Sequence, residues 1–181
     1  MMRYLIIIFC FLLNSASANK KENIINNLKE TKNINFDFEQ NINKKIEKGN
    51  CVIEYPKKIF CEYSGSNNKI LVSNGNSLVI KTSASYYLYP LEKTPLNLIL
   101  DKDYLLKKIQ NSNERIIENK LINFTFVEND NEINIFFNKK NFDLMGWQTL
   151  DLYQNLSITF ISSVLKNQNL SSNLFVLPKQ N

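Results

Sequence analysis

Hydrophobic and polar residues alternate along most of the chain, and this pattern predicts antiparallel β-structure. Phe36 and Phe38 share one face of an alternating run, with acidic and amide side chains on the other, as in a half-buried strand. Residues 49–80 contain four shorter runs separated by turn signals, the last being Asn74-Gly75. Asn-Gly favours a hairpin because both residues tolerate positive φ. The whole chain is predicted to form roughly ten strands. The last are predicted at residues 141–147, 149–155, 157–164 and 173–177.

Three segments have helical spacing instead. Residues 20–32 place their apolar side chains on one face. Thr94 and Pro95 form a helix start, in which the threonine is predicted to cap free backbone amides. Asp103 is predicted to cap a third helix over residues 104–109. A long sheet must curl and cover one face, so we predict a mainly β fold with short helices that either complete a core or cover a groove.

The first residues have the features of an export signal. Arg3 precedes the apolar run 4–13, and residues 16–18 read Ala-Ser-Ala. We expect a signal peptide cleaved after Ala18, an uncleaved membrane anchor being the alternative. Cys10 follows a phenylalanine rather than a small residue, which argues against lipidation of this chain. The remaining 163 of the 181 residues are expected to form one domain, 19–181, with a sizeable core.

Composition argues against catalysis, metal binding and nucleic-acid binding. The chain contains no histidine, which removes the commonest general base and metal ligand. No zinc-ligand spacing and no Ser-Lys or paired-carboxylate signature stands out. The net charge is +5, and +4 without the signal peptide, because Arg3 is its one charged residue. That charge favours solubility or attraction to anionic lipid headgroups. No cluster of lysines is interleaved with aromatic residues, which argues against nucleic-acid binding.

Two cysteines remain after export. Cys51 and Cys61 lie five residues on either side of Pro56. If the turn is centred on the proline, they face each other across a hairpin at a distance that a disulfide spans. We predict a bridge in an oxidising compartment. Two buried thiols are the alternative, because a one-residue shift in register would place the cysteines on opposite faces.

The order of these motifs resembles the LolA family of periplasmic carriers of outer-membrane lipoproteins. The resemblance covers roughly residues 35–178, and each motif by itself is weak. The motifs that carry the resemblance are Gly49, Pro56, Cys61-Glu62-Tyr63, Leu71-Val72-Ser73-Asn74-Gly75, Tyr87-Leu88-Tyr89, Thr94-Pro95-Leu96, a turn at Gly146-Trp147-Gln148 and Phe175-Val176-Leu177-Pro178.

This resemblance implies an incomplete antiparallel β-barrel with a helical lid. It also implies a monomeric periplasmic chaperone without cofactors, which takes acylated lipoproteins from an inner-membrane ABC transporter to a possible outer-membrane receptor. The expected cavity residues are Phe36, Phe38, Ile53, Phe60, Leu71, Leu78, Ile80 and Tyr87. The expected lid residues are Leu96, Ile99, Leu100, Leu105 and Ile109. Ordinary core packing is the alternative for each of them.

One departure from the family pattern affects the lid. Many members have an arginine immediately before the turn proline, where it holds the lid, and here that residue is Tyr55. We expect Tyr55 to contact the lid without supplying a charge, and the Cys51–Cys61 hairpin to be stiffened by its bridge instead. Two other functions remain open: binding of another amphipathic lipid, and a structural envelope β-domain that uses an exposed edge or a tyrosine-rich face.

Overall fold

A computed structural model describes residues 15–65, 67–128, 131–151 and 153–180. The strands are β1 (Asn33–Ile42), β2 (Lys45–Glu54), β3 (Lys58–Tyr63), β4 (Ile70–Asn74), β5 (Ser77–Lys81), β6 (Tyr86–Pro90), β7 (Glu114–Ile117), β8 (Leu121–Glu128), β9 (Asn131–Asn138), β10 (Leu144–Leu150) and β11 (Leu156–Lys166). The helices are α1 (Ser15–Glu30), α2 (Leu96–Leu100) and α3 (Lys102–Asn111), with one turn of 3-10 helix at Leu91–Lys93.

All of these strands form one antiparallel sheet. Its order is β6-β5-β4-β3-β2-β1-β11-β10-β9-β8-β7. Strands β1 to β6 and strands β7 to β11 each pair in chain order, and β1 pairs with β11, with Ile42 opposite Ser157. The edge strands β6 and β7 do not pair with each other, and the chain between them forms α2 and α3. The predicted incomplete antiparallel barrel with helices over one face is therefore confirmed.

One hydrophobic cluster joins the helices to the inner face of the sheet. It contains Ile24 of α1, Leu100 of α2 and Leu105 of α3, all of them buried. The same cluster includes Ile53 of β2 and Phe124 of β8, which lie in opposite halves of the sheet. A single core that reaches both halves requires the sheet to curve around the helices. Removing this apolar surface from water is the main favourable free energy of the fold.

The two lid helices begin differently from the prediction. The Asp101 side chain accepts a hydrogen bond from the Tyr104 backbone N–H at 3.0 Å, so Asp101 caps α3, and the prediction of Asp103 was wrong. The Thr94 hydroxyl donates to the Leu91 carbonyl at 2.7 Å instead of capping α2. Asp103 and Thr94 are both residue types that cap helices. The direction of the chain before each helix determines which side-chain oxygen faces a free backbone amide.

At the N-terminus, α1 covers residues 15–30, compared with 20–32 predicted. Residues 1–14, most of the predicted signal peptide, lie outside the described residues. None of the described helices combines the length and the hydrophobicity needed to cross a bilayer.

Two predictions in the C-terminal third were wrong. Gly146 and Trp147 lie inside β10 rather than in a turn, with a register shift between Leu144 and Gly146. Gly146 has φ 147°, and a Cβ there would collide with the Thr159 carbonyl oxygen. This glycine therefore permits a strand irregularity, which the sequence pattern does not distinguish from a turn. Residues 173–177 form a turn and an irregular segment rather than a strand.

The predicted disulfide is confirmed. Cys51 and Cys61 are directly paired between β2 and β3, their Cα atoms are 4.1 Å apart, and a disulfide joins them. The bridge lies on the inner face, where both cysteines are buried in the core cluster. It therefore holds together the hairpin whose turn lies against the lid, as described below.

Candidate functional site

An apolar cavity of about 230 Å³ lies at one end of the inner face. Its aliphatic wall comes from neighbouring strands, with Leu71 on β4 and Leu78 and Ile80 on β5. Leu96, the first residue of α2, lies at the lid side. The cavity lining also includes Gln40, Ile42, Tyr63, Lys69, Thr94, Pro95, Trp147, Thr149, Leu150, Asp151, Tyr153 and Ser157.

The polar groups on the β1 and β11 side of this cavity bind one another. The Gln40 amide donates to the hydroxyls of Ser157 at 3.1 Å and Thr159 at 3.2 Å. Because this amide is already hydrogen-bonded, an apolar ligand can enter without leaving it unpaired. In the described part of the chain no three acidic or cysteine side chains are grouped as metal ligands. The arrangement therefore fits binding of a hydrocarbon chain.

A larger open groove of about 800 Å³ adjoins the cavity. Lys69, Ile80 and Tyr153 line both, so the two spaces share a wall. The Tyr153 side chain makes a hydrogen bond to that of Tyr89 on β6, which adds to the raised pKa of Tyr89, after the larger effect of burial. Tyr87 stacks beside Tyr89 with ring centroids 6.4 Å apart. Tyrosine rings therefore border the passage from cavity to groove.

The family follows from a comparison with protein-family models. The model described as "Outer membrane lipoprotein carrier protein LolA" matches residues 29–178. The chain belongs to the LolA family. This match covers the sheet, both lid helices and the cavity.

Two solved structures share the fold of this LolA-family chain at very low sequence identity. It is similar to MucB, with a TM-score of 0.52, 7% identity and coverage of 90% of this chain and 63% of MucB. It also resembles the Pseudomonas aeruginosa MucA/MucB complex, with a TM-score of 0.50, 6% identity and coverage of 91% and 62%. A LolA superfamily protein from Nitrosomonas europaea covers 89% of this chain and 97% of its own, with 7% identity and a TM-score of 0.45. No curated protein sequence matches the chain.

Five of the eight residues predicted for the cavity of this LolA-family fold do not line it. Phe36, Phe38 and Ile53 lie on the inner face but are packed in the core below the cavity. Tyr87 lines the larger open groove and is 47% exposed. Leu71, Leu78 and Ile80 line the cavity, as stated above.

Phe60 lies on the opposite face of the sheet. It pairs with Val52 and Val72, and the flanking Ile59 and Cys61 point into the core. The prediction for Phe60 assigned it to the wrong face, because a strand that is covered on both sides does not alternate between apolar and polar residues. The outer face here is covered by the C-terminal segment 168–180.

Contacts from two strands place that C-terminal segment. Lys58 on β3 lies 5.7 Å from the ring centroid of Phe175. Lys81 on β5 donates to the Lys179 carbonyl at 2.8 Å. Both lysines lie on the outer face, and Val72 between them is only 1% exposed. The covering segment therefore explains why β3–β5 carry apolar residues on both faces.

Four of the five predicted lid residues pack against the sheet. Ile99, Leu100, Leu105 and Ile109 are each at most 1% exposed and belong to the core cluster. Leu96 is half-buried and is the lid residue that reaches the cavity. The lid is therefore closed in this conformation, and its helices fill space that a larger ligand would need.

Lys57 holds the lid to the β2–β3 turn, a contact that the sequence did not reveal. Its backbone N–H donates to the Leu100 carbonyl at 3.0 Å, and its ammonium lies 3.2 Å from the Asp101 carboxylate. The same carboxylate caps α3. Lys57 follows the turn proline, whereas the family arginine precedes it. A lysine after a turn is a common solvated residue, so no local signal distinguished it.

Tyr55 contacts the lid through its ring. The Lys102 ammonium lies 5.7 Å from the ring centroid. The Tyr55 hydroxyl is buried and has no hydrogen-bond partner among the described residues. Burial raises the pKa of this phenol, so it stays neutral. Tyr55 thus supplies packing, and Lys57 supplies the hydrogen bond and the charge.

An acid on β8 holds the other side of the lid. The Glu128 carboxylate accepts from the Lys108 ammonium at 2.9 Å and from the Tyr104 hydroxyl at 2.8 Å, both on α3. These two hydrogen bonds, the one from Lys108 first, lower the pKa of Glu128. Burial and the bond to Glu128 raise the pKa of Tyr104. The lid helix α3 is therefore tied to both halves of the sheet, at Lys57 and at Glu128.

Proposed function

We propose that this protein is a periplasmic carrier that binds the acyl chains of lipoproteins and moves them from the inner to the outer membrane. The observation that carries the proposal is the apolar cavity between the β4–β5 wall and the lid residue Leu96, which opens toward a tyrosine-lined groove. Such a site needs no catalytic group, because transfer changes the surroundings of the acyl chain and breaks no bond.

Hydrocarbon burial supplies the binding free energy. Each methylene group removed from water contributes about 0.8 kcal/mol. The cavity volume of about 230 Å³ lies below the roughly 300–1,000 Å³ of typical small-molecule pockets. Two or three long acyl chains need more room. Loading must therefore move α2 and α3 away from the inner face.

This displacement weakens the net affinity and so permits release. Moving the lid exposes side chains such as Leu105 and Ile109, and breaks the Lys57 contacts. The free energy of lid closure is thus subtracted from that of hydrocarbon burial. A carrier needs this balance, because a ligand held at the full burial free energy would not move on to the next membrane.

The proposed route fits an exported protein. The signal peptide is removed after Ala18, the inner-membrane lipoprotein-releasing ABC transporter loads the cavity, and a receptor in the outer membrane takes the lipoprotein. The protein acts as a monomer and uses no cofactor. It does not act as an enzyme, since its task is to shelter and release a lipid.

A release assay tests the proposal. The purified mature protein is incubated with membranes that hold a labelled lipoprotein and the energised transporter, and soluble complexes are separated by size. We expect a one-to-one complex of carrier and lipoprotein. Failure of the wild-type protein to bring labelled lipoprotein into solution would reject the carrier function.

A cavity-filling substitution makes this assay specific to the site. In Leu71→Trp the indole should occupy the hollow beside Leu78 and block the acyl chain while packing stays intact. Leu88→Trp is the matched control, because Leu88 is 57% exposed on the outer face of β6. We expect only the Leu71 variant to lose release, with both variants melting cooperatively. Equal release by both variants would show that this cavity is not the binding site.

The small size of the closed cavity also favours a second candidate, binding of another amphipathic lipid that has a single chain. Such a ligand would fit with less movement of the lid. Mass spectrometry of lipid extracted from protein purified from the periplasm distinguishes the two. Lipopeptide fragments support the lipoprotein carrier, and a free single-chain lipid at equal stoichiometry supports this alternative.

A further inference from the structure

Four of the exposed large apolar side chains lie at the end of the sheet where the cavity and the groove open. Ile46 is 55% exposed, Tyr87 47%, Tyr153 73% and Leu156 47%. We call these four residues the mouth rim. Large apolar residues are normally exposed singly, so a group of them around an opening indicates a contact surface.

Hairpin contacts bring the mouth rim together. The β1–β2 and β10–β11 turns are joined by a hydrogen bond from the Asn43 amide to the Asn155 amide oxygen at 2.7 Å. Ile46 follows the first turn, and Leu156 follows the second. Tyr153 belongs to the second turn and, with Ile46 and Tyr87, lines the groove.

Lysines surround the same opening. Lys45, Lys48 and Lys69 line the groove together with one acid, Glu47. Glu47 accepts from Lys45 at 2.9 Å and from Lys69 at 2.6 Å. These two lysines, through their hydrogen bonds and charges, lower the pKa of Glu47 against the opposing effect of burial, so this acid stays ionised.

The ion pairs leave positive charge at the surface. Lys48 pairs with Glu39 at 2.8 Å, but its side chain is 64% exposed, and that of Lys45 is 76% exposed. Lys44 is exposed in the turn itself, and Asp151 is the remaining acid at the opening. Exposed pairs are weak, so these lysine side chains can turn to another anion. With one more cation than acid, the opening complements a negatively charged surface.

We propose that the mouth rim docks directly on a lipid bilayer that carries anionic headgroups. Tyrosine suits the boundary between hydrocarbon and water, because its ring is apolar and its hydroxyl is polar. Ile46 and Leu156 add apolar tips, and lysines between them attract anionic lipid. A second copy of this chain would bring the same lysines together, so charge favours the bilayer as the occupant.

Docking in this orientation would let acyl chains move between the bilayer and the cavity. This one step rests on the proposed carrier function. The groove would open against the membrane surface, with Tyr153 at the boundary between groove and cavity. An acyl chain could then pass between bilayer and cavity without crossing bulk water. The docking itself requires no ligand in the cavity.

Vesicle co-sedimentation tests the docking. The mature protein is mixed with protein-free vesicles of phosphatidylglycerol and phosphatidylcholine, or of phosphatidylcholine alone. We expect binding to the anionic vesicles, weaker binding to the neutral ones, and release at high salt. A wild-type protein that stays in solution with anionic vesicles would overturn the proposal. Binding to native membranes but not to protein-free vesicles would also overturn the proposal, and would indicate a protein partner instead.

Matched double variants locate the contact. Ile46→Ser with Tyr153→Ser should lower the partition coefficient about tenfold. The control, Leu165→Ser with Val176→Ser, removes residues that are 56% and 65% exposed elsewhere, and should bind as the wild type does. Equal binding by the two double variants would refute the assignment of the rim.

The lysines are tested in the same way. Lys45→Gln with Lys48→Gln should lower binding to anionic vesicles by up to about fivefold per lysine. Lys107→Gln with Lys140→Gln removes the same charge from exposed positions away from the opening and should have a smaller effect. An equal loss in both pairs would show that net charge, rather than the mouth, drives binding.

The cavity variant separates this inference from the carrier function. We expect Leu71→Trp to lose lipoprotein release but to bind vesicles as the wild type does. If the wild type binds vesicles yet releases no lipoprotein, the carrier function fails and the docking stands. If lipoprotein is released without any vesicle binding, the docking fails and the carrier function stands.

Discussion

Opening the Cys51–Cys61 disulfide should destabilise the protein by an amount that follows from its loop. The two cysteines are 10 residues apart, and closing a loop of that size removes conformational entropy worth about 2.7 kcal/mol from the unfolded chain. For a domain of this size, 1 kcal/mol corresponds to roughly 2–4 °C in melting temperature. We therefore expect the reduced protein to melt about 5–10 °C below the oxidised one.

Thermal melts with and without reductant measure this difference. The double variant Cys51→Ala with Cys61→Ala is the matched control, because alanine leaves no buried polar group in place of the sulfurs. Its melting temperature should lie at or below that of the reduced wild type and should not respond to reductant. Identical melts of oxidised and reduced wild type, with thiol titration confirming reduction, would refute the argument.

Three further predictions concern the lid and the sheet. Lys57→Met removes the ion pair to Asp101 but keeps the backbone hydrogen bond to Leu100. We expect faster amide hydrogen exchange in α2 and α3. Unchanged exchange would refute the lid contact. Glu128→Gln should destabilise the protein near neutral pH. The pKa of Glu128 is lowered in the folded state, so its stabilising effect is complete above the unfolded pKa and is lost as pH falls through the folded pKa. Urea titrations of the wild type and the variant should therefore converge in acid. A difference that stays constant with pH would contradict this reasoning. Gly146→Ala should cost more than about 2 kcal/mol in urea unfolding, since a Cβ would meet the Thr159 carbonyl, and a neutral substitution would show that the strand can shift.

Local patterns predicted most of the fold. Period-two alternation and the Asn74-Gly75 turn were sufficient for the β3–β5 region, because a hairpin turn sets the pairing of its own strands. The spacing of Cys51 and Cys61 about Pro56 likewise predicted their register, since both lie on one hairpin. These predictions depended on residues close together in the chain.

Predictions failed where a distant segment decided the outcome. Phe60 was assigned to the cavity because its own strand does not show that the C-terminal segment covers the outer face. Gly146 was placed in a turn because Gly146-Trp147-Gln148 resembles a turn of the family, although pairing with β9 and β11 continues through it. Lys57 was missed, since its partner, the Leu100 carbonyl, is a backbone group with no sequence signal.

Sequence by itself determined most of the elements, the curled sheet with covering helices, the disulfide and the family. Each depends on hydrophobic periodicity, turn chemistry or motif order, which are properties of neighbouring residues. Tertiary structure alone decided that the lid is closed, that Lys57 and Glu128 hold it, and that the free cavity is small and lies beside Leu96. The physical reason is that side-chain packing between segments far apart in the chain determines how much empty volume remains between them, and no local pattern encodes that volume.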